Sequence, residues 1–138
     1  MEALLLLDTC AVIWIATGER ITPKAAEALE HARNRGDWIY ISPITAWELG
    51  LLVARGRINL QMTAERWFAR LMQAPGLKLS DMPPSVLIGA SFLPGAPPRD
   101  PADRILAATA REFGYRLVTR DGPLLDYAAQ GHIQALSC

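Results

Sequence analysis

Four acidic side chains sit in surroundings that do not suit a solvated carboxylate. Asp8 closes the apolar run Leu4-Leu5-Leu6-Leu7, and Asp121 follows Leu117-Val118-Thr119 by one residue. At helical spacing Glu48 shares a face with Ile44, Leu51 and Leu52, and Asp103 shares one with Leu106, Ala107 and Ala110, with Phe113 near it. An acid on an apolar face is unfavourable unless something pairs with it. Brought into one pocket, these carboxylates repel one another and hold their protons more tightly. A hard divalent cation relieves that conflict. Mg²⁺ and Mn²⁺ favour oxygen ligands, taken from a few carboxylates, waters and a substrate phosphate. Ions held this way acidify a bound water, orient a phosphodiester and stabilise charge on the leaving oxygen. Phosphodiester hydrolysis is the chemistry that suits such a cluster.

A plainer explanation stands beside it. Asp8, Asp100 and Asp121 each precede a helical segment, and aspartate is a favoured N-cap. Asp103 could complete an Asp-Pro-Ala-Asp box or favour the helix dipole. Glu48 resists that explanation, because it lies beyond the first turn. The conjunction of acids at strand ends with acids on apolar helix faces carries the metal hypothesis.

The elements that must position these acids follow from local signals. Residues 3–7 read as a strand buried on both faces, and Ala11–Ile15 as a short helix reaching Gly18. Thr22-Pro23 opens a helix through about Arg35, which Gly36-Asp37 breaks. Trp38–Ile41 reads as a strand, and Ser42-Pro43 starts a helix to about Ala54, with Ser42 as its cap. A helix over Thr63–Met72, a short strand at Leu77–Leu79 and a short helix over Pro84–Ala90 come next. Leu93–Pro98 is loop. Asp100-Pro101 opens a helix to Phe113, ended by Gly114. Tyr115–Thr119 is a strand, Pro123–Ala129 a helix and Ile133–Leu136 a last strand. Strands alternating with helices imply crossover connections, hence a three-layer α/β/α sandwich around a parallel sheet of about five strands. Ligands in such sheets bind beyond the carboxyl ends of the strands, which is where Asp8 and Asp121 fall.

The segments Leu5-Leu6-Leu7-Asp8-Thr9, Ile41-Ser42-Pro43-Ile44-Thr45-Ala46-Trp47-Glu48, Asp100-Pro101-Ala102-Asp103-Arg104 and Val118-Thr119-Arg120-Asp121 resemble, in order and spacing, those of PIN-domain proteins. The likeness is greatest to the VapC-type ribonuclease toxins of bacterial toxin–antitoxin pairs. The resemblance implies a PIN-like fold and a Mg²⁺- or Mn²⁺-dependent endoribonuclease acting as the toxin of such a pair. It also implies a homodimer and a cognate antitoxin whose segment packs in a groove and blocks the metal site. Asp8, Glu48, Asp103 and Asp121 match the family's acidic residues by position. Asp8 and Asp103 are the first choice as direct ligands. Glu48 and Asp121 could ligate directly, act through water or help deprotonate the nucleophile. Asp100 reads first as a cap, and Cys10 is given no role. Thr9 and Thr119 are placed to hydrogen-bond the acids.

Basic residues near the motifs are candidates for holding RNA, with Arg104 and Arg120 foremost, Arg99 beside them and Thr119 as a polar contact. His31 and His132 lie beside no motif and read as surface residues. Trp14, Trp47, Trp67 and Phe68 suit a core, although Trp14 and Trp47 adjoin acidic motifs and could leave area for a partner.

Composition bounds these expectations. A chain of 138 residues suits a single domain, residues 1–138, which buries roughly 68% of its unfolded surface and needs no disulfide to fold. The apolar share of 51% leaves some apolar surface over for a partner. With 14 basic and 14 acidic side chains, the chain carries no net charge with which to grip long duplexes. Cys10 and Cys138 have no zinc-site spacing and suit a reducing compartment. The run Leu4–Leu7 is too short for a membrane span, and Glu2 precedes it where a signal peptide carries base, so a cytoplasmic protein is expected. Two other functions compete. One is a catalytically inactive PIN-like binding module whose acids are structural caps. The other is a phosphatase using aspartyl-phosphate chemistry at Asp8, which Cys10 disfavours by standing where many such enzymes place a second Asp.

Overall fold

The computed structural model describes residues 2–138. Strand β1 (Leu5–Leu7) is buried along its whole length, as its unbroken apolar run requires. Helix α1 (Thr9–Ala16) follows at once, with Asp8 as its N-cap. Thr22 caps α2 (Pro23–Arg35) by accepting the Ala25 N–H, and Gly36 ends it in the left-handed region at φ 75°. There a side chain would clash with its own backbone. Then come β2 (Ile39–Ile41), α3 (Ile44–Ala54), α4 (Ala64–Leu71), β3 (Leu77–Leu79) and α5 (Pro84–Gly89). The chain finishes with α6 (Pro101–Phe113), β4 (Arg116–Thr119), α7 (Gly122–Ala129) and β5 (Gln134–Ser137).

The five strands form one parallel sheet in the order β3-β2-β1-β4-β5. From β1 the chain first builds outward on one side, then returns to build the other. The topological switch point is therefore the crevice between β1 and β4, at their carboxyl ends. Register locks this edge: Leu7 lies opposite both Ile41 and Val118, and the Asp8 N–H donates to Val118 O at 3.0 Å.

Alternation along β1 divides the interior in two. Leu5 and Leu7 pack with Val12, Ala25, Leu29, Ile39 and Ile41 under α1 and α2, with Trp67 and Phe68 of α4 against that cluster. Leu6 points to the other face and meets Ile44, Leu106, Ala107, Leu117, Leu124 and Tyr127, from α3, α6, β4 and α7. The result is the three-layer α/β/α sandwich expected from the sequence. Each fully buried Leu or Val contributes about 1.5–3 kcal/mol, so the two clusters readily offset the cost of holding a carboxylate such as Asp8 out of water.

Strand ends depart from expectation by a residue or two. Trp38 stays outside β2, 48% exposed, and β5 begins at Gln134 rather than Ile133 because Ile133 turns into the α6–α7 cluster. Pro43 takes the cap position of α3 without a side-chain bond, while Ser42 Oγ accepts the Ile44 N–H at 3.1 Å from just outside. His31 is exposed, but His132 is half-buried with its ring 5.0 Å from that of Tyr127. Trp14 and Trp67 are partly buried, as core residues should be, whereas Trp47 is 54% exposed. No helix among the described residues is long and apolar enough to cross a membrane.

Candidate active site

Strand β1 delivers Asp8 to the switch-point crevice, and β4 delivers Thr119 beside it. Asp8 is only 4% exposed, yet every oxygen has a partner: Oδ1 accepts the Cys10 N–H at 2.6 Å, and Oδ2 accepts the Thr119 hydroxyl. The Thr119 oxygen in turn accepts the Asp121 N–H at 3.0 Å. One hydroxyl thus ties the acid after β1 to the acid after β4. Asp121 caps α7 through Oδ2, accepting the Leu124 N–H at 3.0 Å.

Glu48 reaches the same place from α3. Its Oε1 accepts the Thr9 hydroxyl at 2.5 Å, and Thr9 Oγ1 lies 3.0 Å from Thr45 Oγ1. Because the single Thr9 proton goes to Glu48, Thr45 must donate to Thr9. The relay Thr45–Thr9–Glu48 fixes one carboxylate oxygen and leaves the other uncommitted. Thr45 carried no sequence signal, since its role exists only once α1 and α3 are neighbours. The face that Glu48 shares with Leu51 and Leu52 is not core as expected. Those leucines are half-exposed and wall the crevice, while the core side of α3 is Ile44, Thr45 and Leu49.

Asp103 enters from the first turn of α6. Asp100, as expected, caps that helix by accepting the Asp103 N–H at 3.0 Å. The crevice is a cavity of about 370 Å³ whose lining includes Asp8, Glu48, Asp100, Asp103 and Asp121, with Trp47, Leu51, Leu52, Arg55 and Arg57 on its α3 side.

The acids perturb one another strongly. Burial, then the charges of Asp121, Asp100, Glu48 and Asp8, push the Asp103 carboxyl up to about 8, and no hydrogen bond to its own carboxylate offsets them. Burial also raises Glu48, with Thr9 pulling it back and Asp8, Asp100 and Asp121 adding to the rise. Asp8 is raised by burial, moderated by the Thr119 and Cys10 hydrogen bonds and raised again by Asp121. Cys10, at the rim, has its thiol pushed up to about 11 by burial and by the charges of Asp8, Glu48, Asp121 and Asp103. Such a thiol is a poor nucleophile.

No three carboxylate, imidazole or thiol groups among the described residues close into a ready-made metal cage. The donor set is nevertheless all oxygen, negatively charged and partly open to solvent. That fits a hydrated cation such as Mg²⁺, which keeps several waters and needs only one or two carboxylates. It does not fit zinc, which prefers nitrogen and sulfur in a closed tetrahedron.

The basic candidates fall elsewhere. Arg104 donates through Nε to Ala90 O at 2.8 Å and through Nη1 to Pro98 O at 3.2 Å, clamping the loop before α6. Arg120 stacks 3.5 Å from the centre of the Trp14 ring and donates to Cys138 O at 2.8 Å and Arg20 O at 3.1 Å. Neither guanidinium lines the crevice, and neither does Arg99. Arg55 and Arg57 do. Sequence inspection missed them, although the row Trp47, Leu51, Arg55 at successive i+4 spacing was there to be found.

Known proteins share both sequence and fold with the chain. Ribonuclease VapC22 of Mycobacterium tuberculosis is 37% identical over 121 residues, 88% of each chain. Among solved structures, VapBC2 from Rickettsia felis, bound to a DNA fragment from the promoter, superposes with a TM-score of 0.65 at 15% identity, covering 97% of this chain and 98% of that one. A toxin–antitoxin complex from Klebsiella pneumoniae gives a TM-score of 0.61 at 21% identity, over 98% and 96% of the two chains. These two establish likeness of fold. The PIN domain model matches residues 5–130, from the first residue of β1 to just beyond α7. The chain therefore belongs to the PIN domain family.

Proposed function

We propose that this protein is a Mg²⁺- or Mn²⁺-dependent endoribonuclease, the toxin of a toxin–antitoxin pair, acting in the cytoplasm. The observation that carries the proposal is the gathering of Asp8, Glu48, Asp103 and Asp121 around one solvent-reached crevice at the sheet's switch point. A structural-cap role alone gives Glu48 no reason to be there. The ribonuclease name of the 37%-identical relative supports RNA as the substrate. The toxin–antitoxin complexes among the structural neighbours support a cognate antitoxin as partner. Leu87, Ile88 and Phe92, exposed at and beyond α5, provide apolar surface suited to the expected homodimer.

In this mechanism Asp8 and Asp103 would hold the cation directly, and Glu48 and Asp121 would contribute directly or through water. Bound there, the cation supplies a more acidic water and charge stabilisation for the phosphodiester. The chain's own groups do the rest. Thr119 and the Cys10 N–H favour the ionised form of the buried Asp8 against the rise that burial causes, and fix its direction. Thr9 holds Glu48 Oε1, leaving Oε2 free to take the proton of an attacking water. Leu51 and Leu52 exclude bulk water from one side of the crevice, which strengthens each electrostatic contact within it.

The test is cleavage of single-stranded RNA with Mg²⁺ or Mn²⁺. Wild type is expected to cut, chelator to stop it, and Asp8→Asn or Asp103→Asn to lower the rate by at least 100-fold with the fold intact. Undiminished cleavage by both variants would reject the carboxylate mechanism. A wild type that binds no cation and cuts nothing would favour the alternative, an inactive binding module.

A further inference from the structure

Resting on the ribonuclease function above, we propose that the α3 side of the crevice is the RNA-binding track. In this track Trp47 stacks an unpaired base, and Arg55 and Arg57 hold the phosphates beside it.

Trp47 is the first observation. It is 54% exposed, adjoins Glu48 in sequence and lines the acidic cavity. The buried side of α3 is formed by Ile44, Thr45 and Leu49, so Trp47 is not needed to close the core. Among the described residues it pairs with no other ring and no cation. A large aromatic face left in water beside a catalytic crevice suits a nucleobase, because every base has a π-face to offer.

Arg55 and Arg57 are the second. Both are exposed cations lining the same cavity as the acids. None of the ion pairs among the described residues includes them. Their backbone is held rather than loose. Gly56 sits between them at φ 67°, the Arg55 N–H donates to Leu51 O at 3.0 Å, and the Arg57 N–H donates to Leu52 O at 2.9 Å. A plain pair of cations answering the helix dipole would account for Arg55 and Arg57. It would not account for their lining the same crevice as Trp47 and the acids.

Spacing completes the picture. Trp47, Leu51 and Arg55 recur every four residues and so form one row on α3, with Glu48 beside its start. From Glu48 to Arg55 the helix rises about 10 Å at 1.5 Å per residue. That leaves room for a base on Trp47 and Leu51 between the phosphate at the acids and the phosphate at the arginines. Single-stranded RNA fits this track and duplex does not. A stacking platform needs an unstacked base, and a chain with 14 basic and 14 acidic side chains has no net positive charge with which to attract a duplex.

Steady-state cleavage of a short single-stranded RNA, followed across salt concentrations, tests the track. Trp47→Ala is expected to raise KM roughly 10- to 100-fold with a smaller change in kcat, and Trp47→Phe to restore most of the loss. The Arg55→Ala/Arg57→Ala double variant is expected to flatten the dependence of log KM on log salt by about 1.4, at about 0.7 for each phosphate no longer neutralised. The Lys/Lys double variant should keep the original slope. Active wild type with unchanged KM in Trp47→Ala, or an unchanged slope in the Ala/Ala variant, overturns the track and leaves the nuclease function standing. A wild type that cuts no RNA with either metal overturns both.

Discussion

Replacing Asp103 by Asn should make the metal-free protein more stable, although it deletes a charge at the favourable end of a helix. In the folded protein the Asp103 carboxyl is pushed up to about 8 from an ordinary 3.8. Its folded-state affinity for protons is therefore raised, so stability is fullest at acid pH and falls as pH rises between roughly 4 and 8. At about 1.4 kcal/mol per tenfold change in proton affinity, the upper bound on that fall is roughly 6 kcal/mol. The crevice is partly open, and solvent screening should leave about a third of it, or about 2 kcal/mol. Asn carries no charge to strain and keeps its own N–H on Asp100. It forfeits about 0.5 kcal/mol of dipole stabilisation in the first turn of α6. The net expectation at pH 8.5 in chelator is a gain of about 1.5 kcal/mol in urea unfolding, shrinking as pH falls and gone below about pH 4, where the carboxyl is neutral in the folded and unfolded chain alike. Adding Mg²⁺ at about ten times its dissociation constant should return about 1.4 kcal/mol to wild type and little to the variant. A variant less stable than wild type at pH 8.5 would refute the reasoning, because Asp103 would then be a helix-start acid under no strain.

Three other outcomes are expected. The cleavage rate at limiting Mg²⁺ should rise with pH towards about 8, as Asp103 gives up its proton, and more Mg²⁺ should move the profile to lower pH; a profile indifferent to Mg²⁺ would count against this competition. Thr119→Val removes the donor to Asp8 and strands the Asp121 N–H, so it should cost about 1–3 kcal/mol in urea unfolding and shift Mg²⁺ activation to higher pH. Cys10, its thiol pushed up to about 11, should alkylate at pH 8 about tenfold more slowly than a free thiol and faster once Mg²⁺ neutralises the acids, as mass spectrometry would report.

Much of the fold is written locally. Thr22-Pro23 and Asp100-Pro101 start helices where they should, and Gly36 and Gly114 stop them in left-handed geometry at φ 75° and 70°. Strand limits were less legible. Whether Trp38 or Ile133 joins the sheet depends on neighbouring strands and on which face needs the side chain. For the acids, cap and site looked like rival explanations in the sequence, and the structure shows that a carboxylate can cap a helix and line the crevice at once. Asp121 gives one oxygen to the Leu124 N–H and keeps the other, and Asp8 caps α1 at the crevice floor. Periodicity placed Glu48 on an apolar face but could not distinguish core from cavity wall, because Leu51 and Leu52 serve equally for either. Arg104 and Arg120 lie outside the crevice lining for a related reason. A long side chain goes where the fold leaves unpaired carbonyls, and Ala90, Pro98 and Cys138 are distant in sequence or lie on loops that local pattern does not position.

Calorimetric titration of Mn²⁺ into the metal-free protein bears most directly on whether distant acids share one cation. Wild type should bind, and Asp8→Asn, Glu48→Gln, Asp103→Asn and Asp121→Asn should each weaken binding, the first and third by at least tenfold. Absence of binding at millimolar Mn²⁺, or affinities unmoved by Asp8→Asn and Asp103→Asn, would contradict a shared metal site at the β1–β4 crevice.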